Sequence, residues 1–401
     1  MKKKIYILYT SFLCAVTALP QQAFISVPVA DLVSSPLYSH PSFKNYQKPY
    51  DHVPLCPKNL YSSHICPRLH QLLFNERVKI IETTLHEVKI QICSAFYLIN
   101  KKQCTVYWTD KKNITLFNEL QQNNIPNQVI PNALSFYKQL QNDAHIITLK
   151  QPFFCKRLNV LFSAGTRFVY HQAHQDHYNV YAYDALKKIV QKIALPKNCC
   201  CPMTTNAQQQ RTLFTQLLRQ WAQSTQGCIP YTWGGSSFTT YAQAPFTEKQ
   251  RTYNNKQERY YAIDTYLPKQ IQTGFDCAGL VLRAAQSAGI PYFYKNTATL
   301  AQKLPVLQKR DTLQNGDLIW VPGHVMVVSD VAHNLLIEAR FYEHGYGKVH
   351  EIALHKVFDG IDTYQDLITA FHNKQPLTRL DKNGKKRETF KQIKLLKLMQ
   401  E

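Results

Sequence analysis

The sequence predicts an α+β chain in which two small all-β barrels precede a domain that pairs helices with one antiparallel sheet. Three patterns carry this expectation. From Phe24 to Leu195 the chain is built of short alternating or apolar runs, among them Val78-Lys79-Ile80-Ile81 and Arg167-Phe168-Val169-Tyr170, divided by polar turns. Beyond Cys199-Cys200-Cys201-Pro202 the period lengthens, and Leu213, Phe214, Leu217, Leu218 and Trp221 fall on one face of a helix over 212–223. A second apolar helix and then a run of hairpin-like strands complete the order of an α+β domain.

At the N-terminus, the basic Met1-Lys2-Lys3-Lys4 leads into an apolar stretch from Ile5 to Leu19 that Pro20, Gln21 and Gln22 end. The stretch is short for a membrane span, so 1–22 reads as a signal peptide, with Val16-Thr17-Ala18 as the best cleavage position. Export to the periplasm or cell envelope follows. Phe12 and Leu13 stand where a lipid-attachment site at Cys14 would need small residues. A first barrel is expected over 24–125 and a second over 131–196, divided by the prolines and asparagines around Ile125-Pro126 and Pro131. The cysteine triplet lacks a second ligand pair at zinc spacing and reads as a linker.

The helix-and-sheet domain is expected over 205–372. Its helix from Cys277 ends at Gly289 and Pro291, a short helix follows near 299–304, and strands are expected at 317–321, 324–330, 335–340 and 348–354. The tail, 374–401, places Phe390, Ile393, Leu395, Leu396 and Leu398 among lysines and reads as a basic amphipathic helix docked on that domain.

Lys and Arg number 47 against 26 Asp and Glu, a formal net charge of +21 that favours polyanionic partners. The basic residues are dispersed and no recognition motif accompanies them, which argues against nucleic acid and for an anionic cell-envelope polymer. Eleven cysteines are an odd number, so at least one thiol is unpaired; Cys56 with Cys66 and Cys93 with Cys104 are the candidate bridges.

The chemistry gathers in the helix-and-sheet domain. In Phe275-Asp276-Cys277-Ala278-Gly279-Leu280-Val281 a cysteine stands where a loop enters a helix, a setting whose open amides and dipole favour thiolate and lower the thiol pKa. Downstream, Gly323-His324-Val325 puts a histidine at the start of a buried strand, within reach of such a helix terminus as a base. Glu338 is the lone acid of Leu336-Ile337-Glu338-Ala339, where an unpaired carboxylate is unfavourable; it is the candidate orienting residue, with His344 and His350 as alternatives.

Tyr231-Thr232-Trp233-Gly234-Gly235, Gly274-Phe275-Asp276-Cys277-Ala278-Gly279-Leu280-Val281, Asn315-Gly316-Asp317-Leu318-Ile319 and Gly323-His324-Val325 resemble, in order, the motifs of the NlpC-type cell-wall cysteine peptidases. Upstream, Ile25-Ser26-Val27-Pro28-Val29-Ala30-Asp31-Leu32 and Leu72-Leu73-Phe74-Asn75-Glu76-Arg77-Val78 are similar to bacterial Src-homology-3-like domains found before the catalytic domain in one subgroup. The resemblance implies a papain-like domain that cuts the bond between γ-D-glutamate and a diamino acid in peptidoglycan stem peptides or released muropeptides, with no cofactor and no metal. Cys277 would be the nucleophile, His324 the base, and the Cys277 amide with the Tyr231 hydroxyl the oxyanion donors. Asp276, and Glu76 from the first barrel, would hold a free substrate amine, with Trp233 lining the cleft.

The chain departs from that pattern at Ala278, where the family often has serine, and at Glu338, where it usually has histidine. These two positions are the support for a second reading, an impaired cell-wall-binding protein. A third reading keeps the thiol and makes the enzyme an amidase or acyltransferase. The segment 236–273, with Tyr253, Tyr260, Tyr261 and Tyr266 among charges, is longer than the compact motif spacing and is a candidate lid or a surface excursion. His171, His174 and His177 read as decoration of a polar loop, and the sequon at Asn113 as a solvated turn.

Overall fold

The computed structural model describes residues 21–55, 66–134, 145–241, 271–342 and 345–399, and the backbone alone for 246–253 and 256–263. The predicted signal segment therefore lies outside the described residues except for Gln21 and Gln22, which open the first strand. No described helix is long and apolar enough to cross a membrane.

The N-terminal strands are β1 (Gln21–Ile25), β2 (Val29–Val33), β3 (Arg68–Leu73), β4 (Arg77–Thr83), β5 (Glu87–Gln91), β6 (Tyr97–Ile99), β7 (Lys102–Cys104), β8 (Val106–Asp110) and β9 (Ile114–Leu116). Seven of them form a sheet in the order β3-β2-β8-β5-β4-β1-β9, and every pairing in it is antiparallel. Helix α1 (Phe117–Gln122) leads to the second unit, β10 (Ile146–Leu149), β11 (Phe153–Cys155), β12 (Val160–Phe162), β13 (Arg167–Ala173), β14 (His177–Asp184), β15 (Ile189–Pro196) and β16 (Cys200–Pro202). Five of these form the sheet β15-β14-β13-β10-β16.

The third unit contains α2 (Ala207–Ala222), β17 (Ser236–Ser237), β18 (Phe246–Tyr253), β19 (Lys256–Ile263), β20 (Gly274–Phe275), α3 (Cys277–Ser287) and α4 (Thr297–Lys303). After these come β21 (Leu318–Val321), β22 (His324–Asp330), β23 (Leu335–Arg340), β24 (Lys348–Ala353), α5 (Tyr364–His372), β25 (Leu377–Leu380), β26 (Lys386–Phe390) and β27 (Lys394–Leu396). The order β24-β23-β22-β21-β27 makes one antiparallel sheet.

The two-residue period of its strands sorts the side chains into two cores. Val325, Val327, Ile337, Ala339 and Val349 join Leu280, Val281 and Ala284 of α3 and Phe214, Leu217 and Trp221 of α2. Their neighbours Ile319, Val321, Met326, Val328 and Leu336 join Tyr364 and Leu367 of α5. The first core continues into the N-terminal sheet through Ile25, Leu32, Leu72, Ile90 and Tyr107, so the two units share one apolar interior. Trp221 is fully buried, which is worth about 3 kcal/mol. Its indole N–H donates to the Lys150 carbonyl of the second unit at 2.8 Å.

Several expectations are corrected. The tail is not an amphipathic helix: it forms the hairpin β25–β26 and then β27, which pairs with β21 at the sheet edge. Leu395 faces one core and Leu396 the other, which a strand achieves and a one-sided helix does not. The cysteine triplet is not a linker, since Cys200 and Cys201 belong to β16 and pair with β10. Cys93 and Cys104 are separate thiols, and Cys56 lies outside the described residues. Asn113 is buried with its amide on the Thr109 hydroxyl at 3.1 Å, not a solvated turn residue. His171 and His177 lie in the β13–β14 hairpin, with His174 in its turn stacked on His177. Within 236–273, β18 and β19 form a hairpin that carries Tyr253, Tyr260 and Tyr261; Tyr266 lies outside the described residues.

Two glycines lock the entry to α3. At Gly234 the backbone has φ +68°, and a Cβ there would meet the Arg68 carbonyl at 2.5 Å. A Cβ at Gly279 would stand 1.9 Å from the Gly235 carbonyl oxygen. Gly279→Ala therefore has to push α3 off the Trp-Gly-Gly loop, and we expect a loss of about 1–3 kcal/mol in urea unfolding. An unchanged midpoint would refute the close approach.

Candidate active site

The loop before α3 is held by its neighbours on both sides. Thr232 N–H donates to Phe275 O at 3.0 Å, Phe275 N–H to Pro230 O at 3.2 Å and Asp276 N–H to Gly235 O at 3.1 Å. Asp276 caps the helix, its Oδ1 accepting from the Gly279 amide. Cys277 is thereby the first helical residue, where the backbone amide has no partner within the helix.

The expected thiolate is not the resting state. Burial pushes the Cys277 thiol up to about 12, and the charge of Asp276 adds to the rise. The backbone amides of Val325 and Ala278, with the Lys295 charge, oppose it without reversing it. A helix terminus lowers a thiol pKa when the charge stays partly solvated; here desolvation is larger.

The candidate base is held from its Nε2 side. His324 Nε2 lies 2.7 Å from Glu338 Oε2. Burial lowers the imidazole pKa to about 4, with the Arg379 charge acting in the same direction against Glu338. The ring is neutral at neutral pH. Glu338 is fully buried, which alone would raise its pKa, but Arg379, Arg340, His324 and His350 hold it well below the usual carboxylate range. A carboxylate only accepts, so the neutral ring carries its proton on Nε2 and keeps a lone pair on Nδ1. Of the two alternative orienting residues, His350 Nε2 reaches Glu338 Oε1 at 3.1 Å, and His344 lies outside the described residues.

The remaining candidates fall in different places. Tyr231 bridges Phe275 in parallel and donates its amide to Gly347 O at 2.8 Å, beside the loop that leads into Cys277. Trp233 sits at the seam with the first sheet: its N–H donates to Leu55 O at 2.8 Å and its carbonyl accepts from Arg68 at 3.3 Å. Glu76 is not a spare acid. It pairs with Arg283 of α3 at 2.7 Å. Asp276 likewise has a partner of its own, Lys295, whose ammonium is 2.8 Å from Oδ2 and whose side chain is 5% exposed.

Three residues of the site escaped the sequence reading. Arg340 stands two positions after Glu338 on the same strand face, a spacing that offered a signal. Lys295 and Arg379 offered none, because each is delivered by a turn or hairpin far along the chain from its partner.

No family model matches the sequence, and no curated protein matches it. Solved structures do match. An NlpC/P60 family protein from Bacillus cereus ATCC 10987 aligns over 83% of this chain and 94% of its own, with a TM-score of 0.53 and 16% identity. NlpC2 from Trichomonas vaginalis covers 84% of this chain and 93% of its own at a TM-score of 0.31 and 9% identity. The peptidoglycan hydrolase RipB from Mycobacterium tuberculosis covers 37% of this chain and 62% of its own at a TM-score of 0.22 and 21% identity. Over most of its length, the chain has the fold of an NlpC/P60 family protein.

Proposed function

We propose that this protein is an exported cysteine endopeptidase that hydrolyses the γ-D-glutamyl–diamino acid bond of peptidoglycan stem peptides. The observation that carries the reading is the Glu338–His324 contact, which leaves Nδ1 as a lone-pair base at the start of the strand whose next amide, Val325, faces the Cys277 thiol. Cys277 Sγ gives its proton to His324 Nδ1 as sulfur attacks the carbonyl carbon. The C–N bond then breaks, the leaving amine takes that proton, and water hydrolyses the thioester with His324 again as base. The open Cys277 amide and the Tyr231 hydroxyl are the assigned oxyanion donors. The two N-terminal sheets are read as Src-homology-3-like barrels, and the basic N-terminus as the export signal. The +21 charge suits an anionic envelope polymer.

A free substrate amine is not required in this reading, because the Asp276 carboxylate is already shared between the Gly279 amide and Lys295. A second ammonium there would face a buried like charge.

Mass spectrometry of L-Ala-γ-D-Glu-diaminopimelate-D-Ala tests the bond: cleavage after D-glutamate is expected from the wild type and not from Cys277→Ala. Release of any other fragment points to a different thiol chemistry and sinks the assignment. The N-acetylated tetrapeptide should be cut with kcat/KM within about threefold of the free one, while Lys295→Met should favour the free amine by about tenfold. A wild type that rejects the acetylated peptide would contradict the role given to Lys295.

The pH dependence follows from His324. Its ring titrates near 6.5 unfolded and at about 4 folded, so between those values the unfolded chain binds the extra proton. Stability from this group is full above pH 6.5 and falls as pH drops toward 4, and the acid limb of kcat/KM should lie near pH 4. Denaturation midpoints and rates across pH 3.5–7.5 check both, and an acid limb at the ordinary histidine value would be the contrary result.

A further inference from the structure

We propose that Arg379, carried by the C-terminal hairpin β25–β26, is a positioning residue of the catalytic site. It clamps Glu338 and, through that carboxylate, fixes the tautomer and orientation of His324. The proposal rests on the reading of Cys277 and His324 as nucleophile and base.

The geometry singles out Arg379 among the charges around Glu338. The carboxylate is 0% exposed, so it requires a cation at contact distance. Arg379 Nη2 donates directly to Oε2, the same oxygen that accepts from His324 Nε2. Arg340 comes no closer than 3.7 Å, to Oε1, and its Nη2 is spent on the Leu380 carbonyl at 2.6 Å. Its guanidinium also stacks on the Tyr346 ring at 4.8 Å. His350 of β24 contacts Oε1, the oxygen turned away from His324. Asp381, two residues after Arg379, does not compete as an acceptor: it binds Arg387 and the amides of Asn383 and Lys385.

The backbone on both sides of Arg379 is pinned to the domain. Asp359 N–H donates to Thr378 O at 2.9 Å and Leu380 N–H to Val357 O at 2.8 Å, while Phe358 and Arg379 form an antiparallel bridge. Leu377 and Phe390 of the hairpin are buried in the core beneath the sheet. The guanidinium is thus held in register with the carboxylate by main-chain bonds, which a flexible basic tail would not achieve. Without it, Oε2 keeps one donor, and Arg340, at a longer range, is the guanidinium left beside the buried acid.

Two consequences separate positioning from mere support of the fold. The Arg379 charge helps keep the His324 ring neutral, so Arg379→Gln should raise the titration midpoint of that ring by one pH unit or more, as read by NMR in a Cys277→Ser background. It should also lower kcat on the tetrapeptide by about tenfold with KM changed less than about threefold. Arg379→Lys keeps the charge and loses the fork, so it should leave the midpoint within about 0.5 unit while lowering kcat by about threefold or more. A wild-type midpoint in a folded Arg379→Gln protein would overturn the proposal. If that variant fails to fold, a wild-type kcat in Arg379→Lys overturns it instead. The NMR readout needs no substrate: absence of tetrapeptide cleavage by the wild type would sink the assigned substrate, whereas an unmoved midpoint would sink the role of Arg379.

Discussion

The buried Glu338 carboxylate is the constraint on which the site depends. A charge removed from water in the middle of a sheet is tolerable only when donors and cations surround it, and four side chains from four strands converge on it: His324 of β22, Arg340 of β23, His350 of β24 and Arg379 of β25. Because these side chains come from different strands, the carboxylate ties together the sheet and the hairpin that covers it. The same arrangement determines which nitrogen of His324 carries the proton. In the proposed mechanism, local stability and the readiness of His324 as a base are therefore two results of one ion cluster.

The resting electrostatics follow from that cluster and from burial. The thiol is pushed up and the imidazole down, so the pair waits uncharged. A buried uncharged pair needs no compensating solvent, and in the proposed mechanism charge has to develop only as the proton moves, beside donors already in position. The helix dipole still acts on Cys277, but it modulates a state that desolvation dominates.

A second dependence runs between the units. The first sheet does not stand apart from the helix-and-sheet domain: it shares an apolar core with it, Gln71 makes polar contacts across the seam with Ser236, Ser237 and Gln272, and Arg283 reaches back to Glu76 and the Gln71 carbonyl. The Lys295 backbone donates to Phe96 O at 2.9 Å, so the cation paired with Asp276 is positioned partly by the first sheet. A side chain paired with the residue before Cys277 is thus held by a unit that the sequence divides from it.

The sequence by itself determined the parts whose signal is local. Apolar period separates the α2 and α3 helices from the strands, and the order of Trp-Gly-Gly, Asp-Cys and Gly-His motifs marks where a thiol and an imidazole can meet. It also marked Glu338, since a lone acid in an apolar strand has to find a partner. The tertiary structure decided what depends on distant chain segments: Lys295 on Asp276, Arg283 on Glu76, Arg379 on Glu338, and the lysine-rich tail as strands. Charge pairing acts through space and leaves no period along the chain. An amphipathic run of lysines and leucines fits a helix face as well as a sheet edge until the open edge of β21 is there to pair with it.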